Sequence, residues 1–280
     1  MEQKAPNPLA KHFRQPKLYL PLPSKGDFWV DGTLELPINK EIPVFPMTAK
    51  DEITLRTPDA VLSGQGTVSV IHSCCPNIKD AWGMPSIDLD ATLIAIRIAS
   101  YGEFMDFGTK CPKCGTEHNY DLDLRNIISG IQRPDYETPI SYDGLEILLQ
   151  PQSYFSANAT NQIQFEEQRL LKTLDENMPE EEKKTKFTSH LNNLVDLNIK
   201  TLSDSTRSIV SDGNTITDKQ FINEFYQNCD TKLIKQIQTR LNDIAKQAAI
   251  KPIDVKCDNC THEFKVDLTF DYASFFDNGS

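Results

Sequence analysis

The chain has 280 residues, 39% of them apolar, with 40 acidic against 29 basic side chains and a net charge of −11. That is enough apolar material for one substantial core or two smaller ones, and the acidic balance argues against a general affinity for polyphosphate, which is carried by Lys and Arg. No 18-residue apolar run and no signal-peptide core occurs, so a soluble protein made in a cytosol is expected, and its seven cysteines fit a reducing compartment better than a disulfide framework.

Residues 1–25 carry five prolines, and Lys4, Lys11, Arg14, Lys17 and Lys25 against Glu2 alone. Proline fixes φ and removes a donor, which excludes a regular helix or a central strand. An extended basic arm is expected, and its apolar set Phe13, Leu18, Tyr19, Leu20 and Leu22 suits docking on the chain's own body or on a partner. Phe28 to Leu36 around Asp31-Gly32 reads as a β-hairpin, and Ile42 to Phe45 as a short strand. Thr48 with Asp51 and Glu52 starts a helix, Thr57-Pro58 restarts it, Gly64 and Gly66 interrupt, and Val68 to Cys75 gives a further turn or two. His72 and Cys74 have no partner pair nearby and read as structural.

Asp88 or Asp90 is the expected cap of a helix over Ala91–Ser100, apolar nearly all round except Arg97, which therefore needs a carboxylate or carbonyl partner in the core. Gly102 ends it. Glu103 to Thr109 is a strand, and Ser141 to Leu149 around Asp143-Gly144 a second hairpin. From 153 to 250 the period turns helical. Ile163, Leu170, Leu171 and Leu174 share one face; Pro179 opens a second helix with Phe187, Leu191, Leu194, Val195 and Leu202; Ser211 to Asn214 is a loop; Thr217 or Asp218 caps a third helix with Phe221, Phe225 and Tyr226; Asp230 caps a fourth with Leu233, Ile234, Ile237, Leu241, Ile244 and Ala248.

The chemistry-bearing stretch is Cys111-Pro-Lys-Cys114, with a second copy at Cys257-Asp-Asn-Cys260. Both tips are followed by alternating apolar positions, Tyr120, Leu122 and Leu124 in one and Phe264, Val266, Leu268 and Phe270 in the other, so each reads as a knuckle leading into a strand. One Cys-x2-Cys pair fills two positions of a tetrahedral ion, and two pairs make a closed site. The expectation is one structural Zn²⁺ per chain on Cys111, Cys114, Cys257 and Cys260, closing over the 142 residues between the pairs. Two independent core or redox pairs are the competing reading. His118 and His262 trail their pairs by different offsets and read as solvated or supporting groups. Cys74, Cys75 and Cys229 stand outside the set as small core residues.

The fold class expected is α+β: a split, zinc-ribbon-containing core at 26–152, completed by a second knuckle at 251–280, with a helical bundle inserted at 153–250 and the arm at 1–25. No nucleophile elbow, phosphate-binding glycine loop or His-Glu-x-x-His helix appears, and four cysteines leave a metal no open position, so no enzymatic activity and no small-molecule substrate are expected. A zinc-ribbon nucleic-acid regulator is the alternative. The charge opposes it, since 101–125 holds three basic and five acidic residues and 251–280 three and six.

The serial order of Leu22-Pro-Ser24-Lys-Gly26, Pro46-Met47-Thr48 with Asp51-Glu52, Ile71-x-Ser-Cys74, Ile94-Ala-Ile-Arg97-Ile-Ala-Ser-Tyr101-Gly102 and Cys111-Pro-x-Cys114-Gly resembles the T4-like bacteriophage baseplate proteins. That group includes hub subunits and hub-assembly proteins of contractile tails. The resemblance covers roughly residues 18–150 and the closing knuckle. It implies a non-enzymatic role binding other tail and baseplate hub proteins, with no nucleic-acid or membrane partner, in the cytoplasm of an infected bacterium during assembly or in the virion tail.

Overall fold

The computed structural model describes residues 7–57, 63–172, 180–268 and 275–276. Its elements, in chain order, are β1 (Leu18–Pro21), β2 (Glu41–Val44), α1 (Ala49–Leu55), α2 (Gln65–Cys74), α3 (Ser86–Tyr101), β3 (Phe104–Lys110), β4 (Glu117–Asp123), α4 (Leu124–Gly130), β5 (Ile140–Tyr142), β6 (Leu145–Leu149), α5 (Tyr154–Lys172), α6 (Glu180–Asp204), β7 (Thr206–Ser211), β8 (Asn214–Ile216), α7 (Lys219–Asn228), α8 (Thr231–Ala248), β9 (Ile253–Lys256) and β10 (Glu263–Val266). All strand pairs are antiparallel, giving three two-stranded ribbons (β1-β2, β3-β4, β9-β10) and one four-stranded sheet, β5-β6-β7-β8. The mixed α and β content is as the sequence indicates.

Two apolar cores form. The first gathers around α3, whose Leu93, Ile94 and Ile96 are fully buried, with Leu20, Ile42, Val44, Val70, Ile71, Leu124 and, from the far end of the chain, Phe275 and Phe276. The second lies between the four-stranded sheet and α6 to α8, through Ile147, Leu149, Ile209, Ile222, Ile237 and Ile244. Cys74 and Cys75 sit in the first core, and burial pushes the Cys74 thiol up to about 12. Arg97 finds its carbonyl: Nη1 donates to the Phe275 oxygen at 2.7 Å, with the Tyr101 and Phe275 rings against the guanidinium.

Several local expectations hold. Thr48 and Asp51 form the reciprocal capping box of α1, Asp218 and Asp230 cap α7 and α8 through their Oδ1 atoms, and Asp143-Gly144 turns the β5-β6 hairpin with both residues at positive φ. His72 is structural, its Nε2 accepting from the Ala81 amide at 2.9 Å. Of the arm, residues 18–21 pair with β2, and Arg14 plugs into the body, donating to the Pro46 and Ser73 carbonyls, each at 2.6 Å.

Other expectations are corrected. Phe28 to Leu36 is no hairpin. Asp31-Gly32 does turn, but Phe28 sits at φ +68° and Leu34 bridges Ile78, with Glu35 donating to Asn77, so tertiary pairing replaced the local one. Gly66 does not interrupt but lies within α2, which runs from Gln65; Gly64 at φ +76° is its N-cap, and a Cβ there would stand 2.9 Å from Trp82. Neither Asp88 nor Asp90 caps α3, which begins at Ser86 after Pro85. Asp88 is instead fully buried and accepts from Ser24 N, Ser24 Oγ and Trp29 Nε1 at 2.7, 2.5 and 2.9 Å.

The 153–250 segment is not purely helical. Ser211 to Asn214 is the turn of a β7-β8 hairpin, Asp212 and Gly213 both at positive φ, and β7 joins β6 in the sheet. On α6 the predicted stripe splits: Leu202 is buried, whereas Phe187, Leu191 and Val195 face outward. The inward face carries His190, hydrogen-bonded to Glu167 of α5, which also accepts from Asn193. Phe221 is exposed as well, while Ile222 and Tyr226 are buried. Pro58, Leu174, Pro179 and Phe270 lie outside the described residues, as do the side chains of Leu170 and Leu171.

Candidate metal centre

Each pair of cysteines sits on the same turn. Gly115 N donates to Cys111 O and Cys111 N to Thr116 O; four and five residues after the other leading cysteine, Thr261 N donates to Cys257 O and Cys257 N to His262 O. Both fourth positions need a left-handed backbone, at φ +71° for Gly115 and +56° for Thr261. Glycine adopts it freely. Threonine is β-branched and does so against its preference, which marks the turn as imposed by its surroundings.

The turns present sulfur in a shared cluster. Cys111 Sγ lies 3.7 Å from Cys260 Sγ and Cys114 Sγ 3.6 Å from Cys257 Sγ, and one ligand atom from each of the four falls within 4.8 Å of the others. A disulfide would need about 2.05 Å. Four sulfurs at the Zn–S distance of about 2.3 Å define a tetrahedron of edge roughly 3.8 Å, so the spacing fits an ion rather than a covalent bond. Cys111 and Cys257 are buried and Cys114 and Cys260 more open. Among the described residues this is the one group of three or more His, Cys, Asp or Glu able to hold a metal.

The clustered thiols perturb one another. Hydrogen bonds with the Thr116 side chain and backbone pull Cys114 down to about 5. Cys260 is also favoured by a backbone hydrogen bond at His262, yet burial and the crowd of Cys114, Cys257 and Cys111 push it up to about 12. If all four were ionised they would repel one another, and a bound divalent ion would offset that repulsion.

Supporting groups join the two knuckles, and spacing alone did not assign them. His118 Nε2 stands 3.3 Å from Cys257 Sγ with Nδ1 3.8 Å from Asp258. Tyr120 OH donates to Lys256 O at 3.1 Å, and Asn259 Nδ2 to Thr116 Oγ1 at 3.1 Å. The alternation of β4 puts His118 and Tyr120 on one face, which is the only signal the sequence held for them. His262 stacks on Phe264. On the outer surface Lys110, Lys256 and Lys265 stand opposite Glu117, Glu263 and Asp254 in the ribbon registers and pair with them at 2.8, 3.8 and 3.9 Å. These lysines are already matched by acids.

A family model described as T4 bacteriophage base plate protein matches residues 31–277. The chain belongs to this family. The match runs from before the first knuckle to beyond the second, so the long segment between them falls within it. No curated protein and no solved structure matches. As a baseplate-family protein it has a structural role in the phage tail, in contact with other tail proteins. No helix among its described residues is long and apolar enough to cross a membrane.

Proposed function

We propose that this baseplate-family chain is a non-enzymatic structural or assembly protein of a contractile-tail baseplate hub. It binds other hub and tail proteins, acts in the host cytoplasm during assembly, and is stapled by one Zn²⁺ on Cys111, Cys114, Cys257 and Cys260. The family match over 31–277 carries the tail assignment, and the sulfur spacing supports the metal. With four thiolates as ligands the ion has no open position for water or substrate, so its contribution is to the fold. The proposed ribbon ties residues 111–114 to residues 257–260.

The competing nucleic-acid reading is disfavoured by the paired lysines on both ribbons. It predicts salt-sensitive retention on DNA or RNA. Quantitative mass spectrometry of purified particles beside infected-cell lysate tests the proposal. A fixed ratio to tail proteins in the particle identifies a resident subunit, and presence only in tail intermediates identifies an assembly factor. Absence from both would contradict the hub assignment.

The site makes a further prediction. His118 donating Nε2–H to the Cys257 sulfur would hold that thiolate in place, so His118→Ala should speed zinc transfer to a chelator by about 10–100-fold. An unchanged release rate would remove His118 from the site.

A further inference from the structure

We propose that residues 24–29 form a proton-sensitive clasp between the two cores, shut while Asp88 is protonated and eased open when Asp88 is charged. Neighbouring side chains of the clasp enter different cores. Phe28 packs against the second and Trp29 against the first. The Phe28 ring meets Tyr136 edge-on at 5.2 Å between centroids, with the Arg133 and Arg207 guanidinium carbons 5.3 and 5.9 Å from its centre. Trp29 Nε1 donates instead to Asp88 of α3 at 2.9 Å. A single peptide link therefore spans the two cores.

The clasp is strained, so its side-chain contacts hold it shut. Lys25 and Phe28 take a left-handed backbone at φ +60° and +68°, on either side of Gly26 at +89°. A residue with a side chain adopts that conformation where its surroundings impose it. Asp88 supplies much of the hold, accepting from the Ser24 amide, the Ser24 hydroxyl and the Trp29 indole. Arg133 grips the clasp from the other core: it pairs with Asp27, donates to Ser24 O at 3.4 Å, and shares Glu137 with Arg207.

Asp88 is fully buried, and among the described residues no cation forms an ion pair with it. The ionisable side chains on the elements around it are Lys25 and Asp27 of the clasp, Asp90 of α3, and Arg133 and Glu137 after α4. Of these, Arg133 forms its ion pairs with Asp27 and Glu137. A carboxylate out of water without a counter-charge favours its neutral form. Burial accordingly lifts Asp88 to about 6, against the lowering by Ser24, Trp29 and Arg133. In the opened clasp the same group meets water and titrates at the ordinary carboxylate value. Closing thus takes up a proton, and a rise of pH through about 6 drives opening.

Amide exchange of the full chain from pH 5 to pH 8, corrected for the pH dependence of the intrinsic rate, tests the clasp. The reporters are the Ser24, Lys25 and Asp27 amides, which donate to Asp88, Leu22 O and Ser24 O. Their protection should stay below that of α3 and α8, because the clasp opens without global unfolding. It should also fall about tenfold between pH 5 and pH 8, and Asp88→Asn should abolish that fall. A flat wild-type profile, a fall that survives in Asp88→Asn, or protection equal to that of the core helices at every pH would each overturn the proposal. Where Asp88→Asn fails to fold, the wild-type profile still decides, through its fall and its gap to the core helices.

Discussion

Cys257→Ser is expected to remove the metal completely and to lower stability more than any single core truncation. Two turns supply the four sulfurs. Each presents only two sulfurs, and the contacts between knuckles other than sulfur are few, principally Tyr120 to Lys256 and Asn259 to Thr116. Both are exposed single hydrogen bonds, each contributing on the order of 1 kcal/mol. Structural zinc in small domains contributes on the order of 10 kcal/mol of apparent binding free energy at neutral pH. A large-to-small core substitution costs about 2–5 kcal/mol, so loss of the proposed ion should exceed it. Cys257 is the severe case because it is fully buried, so its serine replacement places an unmatched hydroxyl in the cluster. Cys111→Ser should behave alike, since in the proposed site both pairs share one ion. Metal content by atomic spectroscopy and a thermal melt check both variants; full metal in either would mean that the pairs do not share one site.

Asp88→Ala should cost roughly 3 kcal/mol or more at neutral pH. Removing the carboxylate leaves Ser24 N, Ser24 Oγ and Trp29 Nε1 without their acceptor in the core, at about 1–3 kcal/mol for each buried donor left unsatisfied. The same group sets a pH dependence. Burial raises its pKa from the ordinary carboxylate value to about 6, against the lowering effect of the Ser24 and Trp29 hydrogen bonds. A carboxyl whose folded pKa is raised is stabilising in its protonated form. Its contribution is fully present below about pH 4 and is lost as pH rises through about 6. A shift of about two units corresponds to about 3 kcal/mol. Urea unfolding at pH 5 and 7 should therefore show a component favouring pH 5 in the wild-type chain that Asp88→Asn lacks. Equal slopes in the two proteins would place the proton elsewhere. Because Asp88 holds Ser24 and Trp29, the variant should also loosen residues 24–29, readable as faster amide exchange there.

The two cysteine turns were legible because their determinants are local. Cys-x2-Cys dictates a turn, a leading cysteine accepts from the fourth residue after it, and alternation then dictates the strand. Caps at Thr48, Asp218 and Asp230 were legible for the same reason, since each side chain bonds an amide two or three residues on. Asp88 was misread because a carboxylate ahead of an apolar helix is locally indistinguishable from a cap; its partners lie 59 and 64 residues away. The 28–36 segment failed similarly, Leu34 finding Ile78 instead of its hairpin neighbour.

On α6 the single stripe read from Phe187, Leu191, Leu194, Val195 and Leu202 splits, with Phe187, Leu191 and Val195 exposed and Leu202 buried, because periodicity does not reveal what covers a face. The covered face of α6 is partly polar, its buried His190 hydrogen-bonded to Glu167 of α5, so hydrophobicity pointed the wrong way. The β7-β8 hairpin was hidden in a helical stretch by its length, three residues in β8, although Asp212-Gly213 carried its turn.

The most direct test of the stapled architecture is native mass spectrometry of the purified chain with its thiols protected from air. The expected mass exceeds that of the polypeptide by one zinc ion, which is lost together with the fold on acidification. A metal-free chain that stays folded with all seven cysteines titratable as thiols would contradict it.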